Sequence, residues 1–254
     1  MSREPHFVVG LDLGQSQDYS ALVIVEQALW IPAMAVQPNG YLFSRQGLSV
    51  SGWVSPSALS EGQRDAVADY WSERPDRPPL TVPHMQRWPL GTDYPTIVRD
   101  VADLLNTHPL NRAQIQLVVD ATGVGAAVVD LLRQSDMDWL VAVTIHAGNA
   151  ATFDGRTASV PKRDLIGAVS VVLEQRRLQI ARALRDADAL ERELQNFRRR
   201  ITPAGSETMS SWRERDHDDL VLALALAVWY RERQYHHFDT VVANRQRNAA
   251  VAAW

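Results

Sequence analysis

The chain is 254 residues long, with 46% hydrophobic residues, 22% charged residues, 13 Gly and 13 Pro. This balance is typical of a soluble globular protein and excludes collagen, coiled-coil and disordered chains. The absence of Cys excludes disulfides, thiolate zinc sites and Cys nucleophiles, so a metal would bind Asp, Glu or His, which favours Mg²⁺ or Mn²⁺. The formal net charge of −4 argues against coating nucleic acid by charge alone, although a DNA-processing site needs only a local basic patch.

The sequence contains no recognisable membrane or secretion signal. Its longest apolar run, Leu220 to Tyr230, is shorter than the roughly 18 to 20 residues that cross a bilayer. The charged start MSREPH lacks the layout of a signal peptide. We therefore expect a cytoplasmic protein with no membrane partner, located in the host cytoplasm if a phage or prophage encodes it.

The N-terminal pattern predicts a β-hairpin. Phe7 to Leu13 and Ala21 to Glu26 are short β-branched runs separated by the polar stretch GQSQDYS, and Asp12 lies near the end of the first run. From Ala28 to Pro83 this pattern gives way to Pro, Gly, Ser and scattered Trp, which predicts an insertion. His84 to Trp88 then has the composition of a strand.

The middle of the chain predicts a parallel β-α-β unit. After a helix over Tyr94 to Asn106, a strand over Gln114 to Asp120, a helix over Ala126 to Arg133 and a strand over Leu140 to His146 follow with short joins. Ligands of such units collect beyond the carboxyl ends of the strands, where Asp120 lies.

The C-terminal part predicts further helices and short strands around a buried final helix. These are a helix over Lys162 to Gln175 opened by Pro161, a strand RRLQI, a helix over Asp186 to Phe197, a strand pair of Arg200 to Thr202 with Thr208 to Trp212, and a helix over Asp216 to Arg233. The whole pattern indicates one α/β domain over residues 1–235, with the insertion at residues 28–83 and a tail at residues 236–254.

Three acidic points could carry chemistry: Asp12, Asp120 and the cluster of Asp216, Asp218 and Asp219. Carboxylates that converge from different elements can hold two Mg²⁺ ions about 4 Å apart, as in enzymes that cleave phosphodiesters. Asp216 and Asp219 are three residues apart and would share one face of a helix. Structural roles are the alternative: Asp216 could cap the helix, and Asp120 could form a turn.

Four motifs in this order resemble the nuclease domain of the large terminase subunit of tailed bacteriophages. They are VVGLDLGQSQDYSALVIVE, LVVDATGVGAAVVDLL, VPKRDLIGAVSVVLEQRRLQI and RDHDDLVLALALAVW. The resemblance implies an RNase H-like fold, related to RuvC-type resolvases, with a mixed central sheet flanked by helices. It also implies that Asp12, Asp120 and Asp219 are catalytic metal ligands, and Asp216 matches an extra acid of the resolvase relatives.

The resemblance further implies an endonuclease that cleaves double-stranded DNA with two Mg²⁺ or Mn²⁺ ions during viral DNA packaging. Full terminase large subunits also contain an ATPase motor, but this chain has no G-x-x-x-x-G-K-[ST] loop. It would therefore be an excised nuclease domain or a stand-alone relative. Its expected partners besides DNA are a separate terminase ATPase, a small terminase subunit or a portal.

Basic residues between Gly155 and Arg200 are the candidates for contacts with DNA phosphates. This segment has eleven Lys or Arg against six Asp or Glu, within a chain that is acidic elsewhere. The candidates are Lys162, Arg163, Arg198, Arg199 and Arg200, which would position DNA without reading its sequence. A solvated charged face is the alternative for the Arg run.

Three other functions remain open from sequence. A RuvC-like resolvase of branched DNA would use the same acids. GLDLGQS also resembles the first phosphate loop of the actin, sugar kinase and heat-shock chaperone superfamily, which implies an ATP-binding phosphotransferase, although no second phosphate loop is evident. An inactive RNase H-like module that scaffolds a larger complex is the third alternative.

Overall fold

The computed structural model of the chain describes residues 7–14, 18–27, 29–31, 52–54, 77–137, 139–201 and 218–234. The strands in these ranges are β1 (Phe7–Asp12), β2 (Ala21–Gln27), β3 (Leu29–Ile31), β4 (Gly52–Val54), β5 (Leu80–Arg87), β6 (Ile115–Asp120), β7 (Val141–His146), β8 (Thr152–Asp154), β9 (Thr157–Pro161) and β10 (Leu178–Ile180). The helices are α1 (Tyr94–Leu105), α2 (Gly125–Gln134), α3 (Lys162–Glu174), α4 (Ala187–Ile201) and α5 (residues 219–234). None of the helices in these ranges could span a membrane.

Eight of the strands form one mixed sheet in the order β10-β5-β2-β1-β6-β7-β9-β8. The central strand β1 is antiparallel to β2 and parallel to β6, and the parallel pairing continues through β7 to β9. On the other side, β5 is antiparallel to β2 and β10 is parallel to β5. The predicted fold class, an RNase H-like mixed sheet flanked by helices, is confirmed.

The two faces of the sheet bury two separate cores, because side chains alternate along each strand. On one face, Val9 and Leu11 of β1 pack with Val101 of α1 and Leu132 of α2. On the other face, Val8 packs with apolar residues of α3, α4 and α5. The centre of α5, Leu220 to Tyr230, is apolar all round, as its sequence predicts, and the helix is buried over most of its length.

Most predicted elements are present, with shifted ends. The hairpin, the parallel β6-α2-β7 unit and the helices α1, α3 and α4 lie where the pattern places them. Two local predictions are wrong or incomplete. Arg200 lies in the last turn of α4 and not in a strand, because the helix continues to Ile201, and the β8-β9 hairpin was not predicted.

The predicted insertion, residues 28–83, is only partly described. It contains β3 and β4, which pair antiparallel with each other, and β5 of the main sheet begins at Leu80, inside this range. The partner strand predicted at Thr208 to Trp212 and the tail at residues 236–254 lie outside the described residues.

Candidate active site

Strand alternation directs Asp12 and Asp120 to the same face of the sheet. Asp12 follows Val8 and Gly10 at alternate positions of β1, and Asp120 follows Val118 at the end of β6. The two strands are parallel with Leu11 opposite Val119, so both carboxylates lie at the same edge of the sheet. Their residues are only 6% and 8% exposed, and a side-chain hydrogen bond joins them.

The absence of a side chain at Gly10 allows α5 to lie directly on β1. A Cβ atom at this position would lie 1.8 Å from the carbonyl oxygen of Ala223 in α5, which no real structure tolerates. Ala223 is about one helical turn after Asp219. The close approach therefore brings the start of α5 to the edge of the sheet that holds Asp12.

Asp219 is the first residue of α5 and is 6% exposed. The carbonyl of Asp218 accepts the first intrahelical hydrogen bond, from Leu222 N at 2.9 Å, so Asp218 occupies the cap position and is half-buried. Asp216, the fourth predicted metal ligand, lies outside the described residues. We call Asp12, Asp120 and Asp219 the acidic cluster.

The acidic cluster concentrates negative charge where water is largely excluded. Burial raises the pKa of Asp12 well above its ordinary value, and the neighbouring carboxylates of Asp120 and Asp219 raise it further. The charge of Lys162 acts in the opposite direction and lowers this pKa. A further cation at the cluster would relieve the same repulsion.

The turn after β6 fixes the orientation of Asp120. Its Oδ1 accepts a hydrogen bond from Thr122 N at 2.8 Å, and Thr122 Oγ1 accepts one from Ile145 N at 2.9 Å. Gly125 is needed here because a Cβ atom would lie 2.0 Å from the carbonyl oxygen of Asp120. Asp120 is therefore both a turn former and a member of the acidic cluster, so the two interpretations from sequence are not exclusive.

The predicted DNA contacts fall into three groups. Lys162 begins α3, is half-buried, and lies close enough to lower the pKa of Asp12, so it belongs to the edge of the acidic cluster. Arg163 is exposed and donates hydrogen bonds to Asn149 Oδ1 at 2.9 Å and to the Asn149 carbonyl. Arg198 to Arg200 lie in the last turn of α4, but the positions of their side chains are outside the described residues.

Two charged residues beside the cluster were missed from sequence: Arg87 and Glu193. Arg87 ends β5 and is opposite Ala21 of β2, which is itself opposite Asp12 of β1. Arg87 therefore lies level with Asp12 across the sheet, two strands away. Its Nη2 donates a hydrogen bond to Glu193 Oε1 and lies 3.6 Å from Asp219 Oδ2. Alternation after the buried Met85 could have indicated that Arg87 faces the same core.

The acidic cluster offers carboxylate oxygens, which are the donors that Mg²⁺ and Mn²⁺ prefer. In the described part of the chain, no three Asp, Glu or His side chains are arranged to hold a metal ion. Mg²⁺, however, keeps several waters and is commonly bound through only one or two carboxylates. Hard carboxylate oxygens with mutually repelling charges are suitable donors for such ions.

Solved structures of similar fold include two terminase nucleases. The large terminase nuclease from thermophilic phage G20c is 15% identical, with 88% of this chain and 81% of that chain covered and a TM-score of 0.46. The human cytomegalovirus terminase nuclease domain, soaked with Mn, is 12% identical, with 88% and 84% covered and a TM-score of 0.43. No family model and no curated protein matches the chain. Both are terminase nucleases, the kind of protein that the four motifs resemble.

Proposed function

We propose that the chain is a metal-dependent endonuclease that cleaves double-stranded DNA, similar to the nuclease of a terminase large subunit. The observation that carries the proposal is the acidic cluster: three buried carboxylates from β1, β6 and α5 meet at one edge of the sheet, where burial and the charges of Asp120 and Asp219 raise the pKa of Asp12. Gathering like charges in a buried place opposes folding, and such arrangements are concentrated at functional sites.

The roles of the three acids follow from their neighbours. Asp12 is close to both other carboxylates and would hold two ions, with Asp120 completing the shell of one and Asp219 that of the other. Two bound Mg²⁺ or Mn²⁺ ions supply a water of lowered pKa and stabilise charge on the leaving oxygen. Thr122 holds Asp120 in place through the hydrogen bond to Oδ1, so the carboxylate needs little rearrangement to act as a ligand.

The basic residues would place the DNA backbone beside the acids. Lys162 lies at the edge of the acidic cluster, where an ammonium could contact a phosphate next to the scissile bond. Arg163, which is exposed one residue later, and Arg198 to Arg200 are the further proposed phosphate contacts. In viral DNA packaging, the partners would be a separate terminase ATPase, a small terminase subunit or a portal.

Cleavage of supercoiled plasmid with Mn²⁺, Mg²⁺ or EDTA tests this function. The parent chain should nick and linearise the plasmid only when a divalent ion is present, and Asp12→Asn should not. Asp130→Asn is the matched control, because this substitution makes the same change in charge at a side chain of α2 that is 71% exposed.

The result decides between the alternatives. Cleavage that persists in a folded Asp12→Asn variant would show that the acidic cluster is not the active site. Faster cutting of four-way junctions than of linear duplex would identify a resolvase. Absence of cutting with either ion, together with calorimetric binding of ATP, would indicate the phosphotransferase class, and absence of both activities would indicate a scaffold.

A further inference from the structure

An ion pair between Arg87 and Glu193 lies next to the acidic cluster and has no part in the function proposed so far. The Arg87 side chain is 18% exposed, and that of Glu193 is 9% exposed. Besides its hydrogen bond to Glu193, the guanidinium stacks on the Tyr19 ring, with 4.9 Å between its carbon and the ring centroid. Contacts on several sides therefore hold Arg87 in one orientation.

Glu193 connects this ion pair to the first turn of α5. Its Oε2 accepts a hydrogen bond of 3.1 Å from Val221 N, two residues after Asp219. The first backbone N–H groups of a helix have no partner within the helix, so this carboxylate satisfies a group that would otherwise be buried unpaired. The position of the Asp219 backbone thus depends on a side chain of α4.

The charge of the pair matters as much as its geometry. Arg87 Nη2 lies 3.6 Å from Asp219 Oδ2 while it donates a hydrogen bond to Glu193. If Glu193 were neutral, the guanidinium would face Asp219 without a compensating anion and would oppose a second cation there. With Glu193 charged, the pair is neutral overall and competes less with a metal ion for Asp219.

We infer that the Arg87–Glu193 pair is a positioning device, which fixes Asp219 in the acidic cluster while leaving its carboxylate able to bind a divalent cation. This inference rests on the proposed function. It assigns to β5 and α4 a role in metal binding that the three acids alone do not reveal.

Calorimetric titration of the purified chain with MnCl₂, at about pH 8, where Glu193 is charged, tests the inference without any reaction. Glu193→Gln keeps an acceptor for Val221 N but removes the charge, so Mn²⁺ should bind about tenfold more weakly. The double variant Arg87→Met, Glu193→Gln removes both charges and should recover most of the lost affinity. Glu191→Gln, an exposed position on the same helix, should bind Mn²⁺ as the parent does.

Melting temperatures in EDTA separate a loss of folding from a loss of binding. If Glu193→Gln does not fold, Arg87→Lys provides the second measurement. It keeps the charge but loses the guanidinium, whose Nη2 contacts Glu193 and Asp219 and whose plane stacks on Tyr19, so it should bind Mn²⁺ several-fold more weakly. Backbone amide exchange at the start of α5 should also be faster in Glu193→Ala than in Glu193→Gln, since only Gln retains an acceptor.

Four outcomes would overturn the inference. The first is that Glu193→Gln binds Mn²⁺ as tightly as Glu191→Gln does. The second is that the double variant binds as weakly as the single one, which would exclude charge balance. In both cases the parent still binds Mn²⁺ and the proposed function stands. If the parent itself binds no Mn²⁺, or Asp12→Asn binds it equally well, the metal site fails together with the inference.

Discussion

Helix α5 carries buried acids near both of its ends, and their surroundings are opposite. Near the C-terminal end, Glu232 accepts hydrogen bonds from Arg77 at 2.6 Å and from Arg177 at 2.8 Å, and Arg177 Nε also donates to the Pro78 carbonyl at 3.0 Å. We call Arg77, Arg177 and Glu232 the Glu232 network. At the N-terminal end, Asp219 meets two further carboxylates, and burial together with the charges of Asp120 and Asp219 raises the pKa of Asp12.

The difference separates a structural use of a buried charge from a functional one. In the Glu232 network, cations surround a single acid, which holds β10, the start of β5 and α5 together. In the acidic cluster, acids outnumber the nearby cations, so the arrangement opposes folding of the metal-free protein. Burial of an acid therefore does not by itself indicate a functional site. The sign of the surrounding charge distinguishes a structural acid, which has cations around it, from a candidate functional one, which has other acids around it.

The largest effect is expected from Asp12→Asn. This variant should lower metal-dependent cleavage by at least about 100-fold, because it removes the carboxylate shared by both proposed ions. It should also melt at a higher temperature than the parent in EDTA, since one buried charge and its repulsion are gone. Plasmid assays and thermal melts measure both effects. A lower melting temperature would contradict the interpretation of the acidic cluster as a source of strain.

Glu232→Ala should lower stability and leave metal binding unchanged, the reverse of the effects expected for Asp12→Asn. It leaves Arg177, which is 7% exposed, without its carboxylate partner and should lower the free energy of unfolding by about 3 to 5 kcal/mol. Urea denaturation in EDTA measures this loss, while calorimetry should give unchanged Mn²⁺ affinity. The double variant Arg177→Met, Glu232→Gln should recover part of the stability. A selective loss of Mn²⁺ affinity would mean that the two ends of α5 are not independent.

Asp219→Asn and Asp218→Asn compare two neighbouring acids with the same change in charge. Asp219 belongs to the acidic cluster and is 6% exposed, whereas Asp218 is half-buried and occupies the cap position. We expect Asp219→Asn to lower cleavage about tenfold more than Asp218→Asn does. The reverse order in initial rates would mean that Asp218 is the metal ligand at this helix start.

The smallest effect concerns the pH dependence of stability. Burial raises the pKa of Glu193 from 4.5 to about 7, and Asp219 raises it too, although Arg87 and the Val221 N–H lower it. As pH rises, the unfolded chain therefore loses this proton first, so the contribution of Glu193 to stability is present below about pH 4.5 and is lost as pH approaches about 7.

Glu193→Gln should remove the part of the pH dependence of stability that comes from Glu193. The melting temperature of the variant minus that of the parent should increase as pH rises from about 4.5 to about 7, and this difference should stay constant at higher pH. Glu191→Gln, measured in parallel, should follow the parent at every pH. A constant difference between Glu193→Gln and the parent across the window would show that the Arg87 ion pair keeps Glu193 charged throughout.

The sequence predicts the elements of this protein better than the contacts between them. The β-branched runs of β1 and β2, the helical spacing in α1 and the apolar run of α5 are local patterns, and each element formed close to its predicted ends. The β8-β9 hairpin escaped prediction because its strands are only 3 and 5 residues long, too short to show a clear pattern. The continuation of α4 through Arg200 escaped it because a run of arginines carries no apolar periodicity to mark a helix end.

For the candidate site, the sequence by itself determined that acids lie near the ends of β1 and β6 and that several acids gather at the start of α5, because residue type and period are readable locally. The resemblance, and not the local pattern, singled out Asp219 among them. Only the tertiary structure decided that these acids meet, since the meeting depends on the parallel register of β1 with β6 and on the close contact of Gly10 with Ala223. The contact between Arg87 and Glu193 likewise depends on the tertiary structure. These two residues lie far apart in the chain, and the sheet order and the packing of α4 bring them together. Such contacts arise from long-range packing, for which a single sequence contains no local signal.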